Sequence, residues 1–325
     1  MSKAHIRLLI LEPGAPGDPL IGHLEEVDLN EVQGNYTALS YVWGSSTQAE
    51  EIIIEHARVR MTSNLDKALR RLRSRTAKIT LWVDAVCIDQ TDVAEKHHQV
   101  PLMARIYTQA ETVLSWLGEA TQHSATGMEI LSYLSSNEPF NDNSPWNRLN
   151  GPEIVLGLHD ILQRHYFQRV WIVQEAALGR RIQMQVGDVS IHWHKAEDAR
   201  RFLARIKLLE VSPAWHSGEL RAVDLRPIRE LLEQSVASRD REMGISRAAT
   251  LLDLVHTMRH MQSSDPRDKI FGLMGLAPPA EIAGFFPDYA DSWERTYQRF
   301  YDHVYRNALQ EPSRPWRTNP GQPGV

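Results

Sequence analysis

Cysteine is almost absent: Cys87 stands alone in 325 residues. A single thiol excludes an internal disulfide framework and fits a reducing compartment. Positive charge is also in short supply. Lys and Arg number 36 against 41 Asp and Glu, a formal net charge of −5, so no global positive field exists to hold a nucleic acid or an anionic membrane. No apolar run approaches the ~18 residues that a membrane span needs. The run at 6–11, IRLLIL, is too short for a secretory signal. A glycine-rich phosphate loop is missing. So is a metal set: His192 and His194 flank Trp193, but no Cys or acid cluster follows at ligand spacing. What remains, with 42% apolar and 24% charged residues, is ordinary globular composition over a length sufficient for a large buried core. The expectation is a cytoplasmic protein with no bound metal or cofactor, no membrane span and no nucleic-acid partner.

Residues 6–11 predict a strand closed by Pro13 and Gly14. The β-rich run YTALSYVW at 36–43 predicts a second, ending at Gly44. Residues 51–60 read as strand, turn, strand. Asn64 is placed to cap a helix over 65–73, with Leu65, Leu69 and Leu72 on one face. The apolar run ITLWVDAVC at 79–87 suits a strand buried on both faces and bears one acid, Asp84. A helix over 94–109, with Val100, Met103, Ile106 and Tyr107 at core spacing, and a strand over 111–117 complete a βαβ unit. Residues 118–152, rich in Asn, Ser and Pro, predict an irregular insertion. Helices follow over 153–164 and 166–178, then a hairpin over 181–194 with Gly187 and Asp188 at its turn. From 195 to about 262 the chain predicts mostly helix. The fold class is therefore α/β, a central, mostly parallel sheet flanked by helices, with a helical C-terminal part. The divisions are an N-terminal strand region at 1–35, a core at 36–178, the hairpin and helical part at 179–305, and a proline-rich, disordered tail at 306–325.

Four segments carry a resemblance to a known family. They are YTALSYVWG at 36–44; LWVDAVCIDQ at 81–90, followed by Glu95 and by LSWLG at 114–118; RVWIVQEA at 169–176; and DPRDKIFGLMGL at 265–276 with PDY at 287–289. In this order and at these separations the chain resembles the fungal heterokaryon-incompatibility (HET) family over most of residues 36–290. Two features depart from the pattern. Position 89 is Asp where the family more often has Asn, and many members continue beyond the point where this chain stops. The resemblance implies a role in self/non-self recognition, in which HET domains trigger programmed cell death once a non-self partner is sensed. It also implies a protein partner or incompatibility factor, and self-association. The family is distantly similar to TIR domains, some of which cleave NAD, so a TIR-like or flavodoxin-like core is implied with it.

The chemistry turns on Trp171 and Glu175. Four apart on a helix, their side chains share one face, a turn from each other. TIR domains that cleave NAD are similar here, with a Trp four residues before the catalytic Glu. Breaking the bond from ribose C1′ to nicotinamide develops oxocarbenium character, which a fixed carboxylate stabilises, while an aromatic wall excludes water. NAD would then be a substrate, not a cofactor. The plainer alternative leaves Trp171 in the core and pairs Glu175 with Arg169, Arg180 or Arg181. Asp84 lies near the carboxyl end of a parallel strand, where ligands of open α/β sheets bind; it is a second catalytic candidate, or a buried acid held by backbone N–H groups or by an arginine. Tyr41, Trp43, Gly44, Ser45 and Ser46 form a candidate substrate-binding loop, Gly44 for its turn and the serines for their hydroxyls. Tyr41 and Trp43 can equally fill core and rim. Asp89 suits a turn or cap. Cys87, with His97 or His98 as base, is a nucleophile only if it is not a buried hydrophobe. Asp265, Arg267 and Asp268 read as a charged structural knot, with a loop contribution to the pocket as the alternative. Three functions stay open: a signalling enzyme that cleaves NAD, a non-catalytic oligomerising module, and a small-molecule enzyme of fungal secondary metabolism.

Overall fold

The structure is a computed structural model and describes residues 4–44, 49–194, 196–245 and 249–310. Its strands are β1 (His5–Leu11), β2 (Leu20–Asp28), β3 (Thr37–Tyr41), β4 (Glu50–Ile54), β5 (Ala57–Met61), β6 (Ile79–Trp82), β7 (Thr112–Trp116), β8 (Ile182–Val186) and β9 (Val189–Trp193). They form one sheet in the order β5-β4-β2-β1-β6-β3-β7-β8-β9. The sheet is mixed rather than mostly parallel. Four pairings are parallel (β2 with β4, β3 with β6 and with β7, β7 with β8) and four are antiparallel. The antiparallel pairs are two hairpins, β4–β5 and β8–β9, and the two neighbours of β1. The block β6-β3-β7-β8 is parallel throughout, so the carboxyl ends of those strands face one way.

Strand β2 has no counterpart among the sequence expectations. Its run LIGHLEEVD buries little beyond Leu20 and Gly22, so the alternation that marks a strand is weak. Pairing decides it: β2 lies antiparallel to β1 along the full length of β1, from His5 opposite Asp28 to Leu11 opposite Gly22. Strand β6 is shorter than the apolar run suggests. The Asp84 carboxylate accepts from its neighbour Ala85 N at 2.7 Å, and the chain turns into a one-turn helix, α2 (Asp84–Cys87), after α1 (Ser63–Leu72). The cap of α1 is Thr62, not Asn64. Asn64 instead donates to the Val42 carbonyl at 2.6 Å and accepts from Trp116 Nε1 at 3.1 Å, tying the ends of β3 and β7 together.

The expected helix at 94–109 is two, α3 (Val93–Gln99) and α4 (Met103–Gln109), separated by a 3₁₀ turn at Pro101, whose missing N–H breaks the ladder. They connect β6 to β7 across β3, which lies between those strands. The supposed insertion contains a helix, α5 (Ser124–Ser135), that buries Met128, Ile130, Leu131 and Leu134. It packs on α6 (Gly151–Leu162), whose Asn150 and Glu153 form a capping box. Helix α7 (Val170–Leu178) follows a 3₁₀ turn and buries every residue but Trp171. The C-terminal part consists of α8 (Ala196–Val211), α9 (Arg226–Glu242), α10 (Leu251–Thr257), α11 (Asp268–Phe271), α12 (Pro279–Ile282) and α13 (Trp293–Gln310), with α9 lying against α7. Helix α13 runs past Arg306, where the tail was expected to begin. Residues 311–325 lie outside the described ones. No helix among the described residues is long and apolar enough to cross a membrane.

Candidate functional site

A cavity of about 720 Å³ opens outside the carboxyl ends of β3 and β6. Val42, Trp43, Gly44 and Asp84 line it from the sheet side, Lys96 from α3, Met103 from α4, and Arg169, Trp171 and Glu175 from α7 and its leading residue. Residues 262–265, Asp268 and Tyr289 close the far wall. That wall is fastened to the start of α7 by an isolated parallel bridge between Arg169 and Gln262, with Val170 N donating to the Gln262 carbonyl at 2.9 Å.

Glu175 is 3% exposed, on a helix that is otherwise apolar or buried. Ser40 Oγ donates to its Oε2 at 2.5 Å, and the Tyr166 hydroxyl lies 2.9 Å from the same Oγ. Ser40 can give its one proton only once, so the Tyr166 hydroxyl is the donor to Ser40. Burial pushes Glu175 up to about 7, against the pull of the Arg169 cation and the Ser40 hydrogen bond. Asp84 is raised too, again by burial first and with Arg169 opposing. Neither acid forms an ion pair among the described residues. Of the arginines offered as partners for Glu175, Arg181 reaches Glu111 at 3.6 Å, while Arg169 donates Nη1 to the Tyr41 carbonyl at 2.5 Å and acts on Glu175 through its charge without an ion-pair contact.

Of the residues singled out from the sequence, Glu175, Asp84, Trp171, Trp43 and Gly44 meet in this cavity. Trp43 stands at the mouth and donates Nε1 to Asp84 Oδ2 at 2.9 Å. Gly44 has φ +79°, a conformation that favours glycine, as its turn requires. Tyr41 does not reach the cavity. It is buried in the core, where burial and then the neighbouring Asp84 charge raise its hydroxyl well above the ordinary value. Ser45 and Ser46 lie outside the described residues. Cys87 is a buried hydrophobe, its thiol pushed up to about 12 by burial, and His97 is instead engaged at Nε2, which accepts from Tyr289 N at 2.8 Å. Asp89 is an exposed turn residue accepting from Thr91 N and Oγ1. Among the described residues no His, Cys, Asp or Glu group is arranged to hold a metal ion.

The far wall joins both readings of the loop at 265–268, the structural knot and the pocket contribution. Arg267 does form a knot, gripping Asp265 and the Tyr289 carbonyl at 2.8 Å. Asp268, however, turns to the cavity, accepts from the Tyr289 hydroxyl at 2.8 Å and is raised by burial. Arg169 and Lys96 are site residues that the sequence reading does not single out as such. The signal available for the wall was the recurrence of DPRD and PDY among the four motif segments; nothing local says that they face residues 84 and 175.

Residues 36–175 match the protein-family model described as Heterokaryon incompatibility protein (HET). The chain is 28% identical over 364 aligned positions to Heterokaryon incompatibility protein 6, OR allele, of Neurospora crassa, a match covering 95% of this chain and 52% of that protein. The chain thus spans about half the length of the curated relative it matches. No solved structure matches it.

Proposed function

We propose that this chain, whose residues 36–175 match the heterokaryon-incompatibility family model, acts in self/non-self recognition by cleaving NAD once a protein partner and self-association switch it on. The observation that carries the reading is Glu175. A buried acid on an apolar helix is costly to keep, and this one lines a cavity with Trp171 and Asp84 in place of an ion pair. The parallel block beneath supports the TIR-like comparison. In the proposed step the C1′–N1 bond of the nicotinamide riboside breaks and its electron pair leaves with nicotinamide, which becomes neutral. Ionised Glu175 faces the oxocarbenium ion, water adds at C1′, and the proton released passes to solvent. Trp171 and Trp43 shield the site, and Asp84 favours the cationic ring before cleavage. Purified chain at high concentration is expected to consume NAD, and Glu175→Ala is expected not to. If the wild type consumes none even when artificially clustered, the reading fails.

One observation favours the alternative of a non-catalytic oligomerising module. Trp293, Tyr297, Tyr301 and Tyr305 recur every fourth residue along α13 and are 50%, 36%, 63% and 54% exposed. Such a row is unusual on a free surface. The partner it suits is a second copy of the chain, face to face. Sedimentation is expected to show self-association that the double variant Tyr301→Asp, Tyr305→Asp weakens at least about tenfold. A wild type that stays monomeric at high concentration rules this face out.

A further inference from the structure

We propose that Lys96 and Arg169 form the seat for a phosphate or diphosphate group of the ligand that the cavity takes. The nucleotide reading above supplies the identity of the ligand; the seat itself is argued from charge.

His165 and Tyr289 apart, four acids and two cations line the cavity: Asp84, Glu175, Asp265 and Asp268 with Lys96 and Arg169. Each acid is already held by a donor other than the two cations. Asp84 accepts from Trp43 Nε1 at 2.9 Å and Ala85 N at 2.7 Å, and Glu175 accepts from Ser40. Asp265 takes Arg267 through Nε at 2.9 Å and Nη2 at 2.7 Å, and Asp268 takes the Tyr289 hydroxyl. The two cations are positioned by uncharged groups. Arg169 rests one arm on the Tyr41 carbonyl, and Lys96 Nζ lies 5.0 Å from the centre of the Tyr289 ring. Neither makes an ion pair among the described residues.

A guanidinium anchored by one nitrogen keeps its other N–H donors for an anion, in the fork that suits phosphate oxygens. An ammonium on an aromatic face is placed without being neutralised. Tyr289 therefore orders both signs at once, its hydroxyl on Asp268 and its ring under Lys96. A ligand that carries a cationic ring at one end and a diphosphate in the middle would satisfy both the acids and the cations of such a cavity.

Calorimetric titration of inorganic pyrophosphate into the whole chain tests the seat without turnover. One-site binding is expected, weakening as salt rises. Lys96→Ala is expected to raise Kd at least tenfold, and Lys67→Ala, an exposed lysine on α1, to leave it unchanged. Melting of Lys96→Ala at the wild-type temperature shows that the fold is intact; if that variant melts early, Lys96→Gln takes its place. The proposal is overturned if pyrophosphate does not bind at millimolar concentration, if removing the Lys96 charge leaves Kd unchanged, or if malonate binds as tightly as pyrophosphate. NAD turnover separates the seat from the reaction. Lys96-dependent pyrophosphate binding without any NAD loss keeps the seat and removes the cleavage reading. If both hold, Lys96→Ala raises KM with kcat nearly kept, and Glu175→Gln lowers kcat.

Discussion

Glu175→Gln is expected to do two opposite things: lower NAD cleavage by about a thousandfold or more and raise thermal stability above neutral pH. The loss follows from chemistry, because a neutral amide cannot face an oxocarbenium ion as a carboxylate does. The gain follows from linkage. In the folded chain burial makes Glu175 hold its proton up to about 7, against an ordinary value of 4.5. Between those values the folded state binds more protons than the unfolded one, so stability falls as pH rises, and above about 7 the whole penalty is present. A shift of that size corresponds to about 3 kcal/mol, and Gln, still able to accept from Ser40, avoids it. The variant should melt at the wild-type temperature near pH 4.5 and about 5 °C or more above it at pH 8. Wild-type cleavage should climb with pH through about 7 as the carboxylate ionises. Equal melting curves at both pH values would remove the buried charge from the account. A cleavage rate that ignores pH between 6 and 8 would remove Glu175 from the reaction.

Gly127→Val should be among the most damaging substitutions far from the cavity. Helices α5 and α6 approach backbone to backbone at Gly127 and Gly157. A Cβ at Gly127 would stand 2.1 Å from the Gly157 carbonyl oxygen and 2.7 Å from Ile161 Cγ1, and one at Gly157 would stand 2.7 Å from Gly127 N. Backbone cannot step aside as a long side chain can, so the helices must separate and the contacts of Ile130, Leu134 and Ile161 loosen with them. The expected cost is about 3 kcal/mol or more, seen as a fall in melting temperature. Ala125→Val, at an exposed neighbour on the same helix, introduces the same β-branched side chain away from the glycine contact and should cost only a few tenths of a kcal/mol through helix propensity, a loss that Gly127→Val does not carry. Equal losses in the two variants would show that the glycine contact does not hold the helices together.

Local pattern made some of this legible from the chain alone. The strands β1 and β3, the hairpins β4–β5 and β8–β9, and the body of α6 rest on alternation, turn residues and helical periodicity. Those signals act over fewer than ten residues and survive whatever surrounds them. The spacing of Trp171 and Glu175, with Asp84 at a strand end, likewise named residues that share one cavity. Tertiary structure decided the rest. Pairing with β1 makes β2 a strand despite its charges. A glycine contact makes α5 part of the core rather than an insertion. Antiparallel neighbours on both sides of β1 make the sheet mixed. The wall at residues 262–289 meets α7 only after the chain has passed through α8, α9 and α10, and Lys96 reaches Tyr289 across nearly two hundred residues. Periodicity reports which face of an element is apolar. Which charges face one another across a cavity depends on how the elements are packed, and no local run of residues carries that.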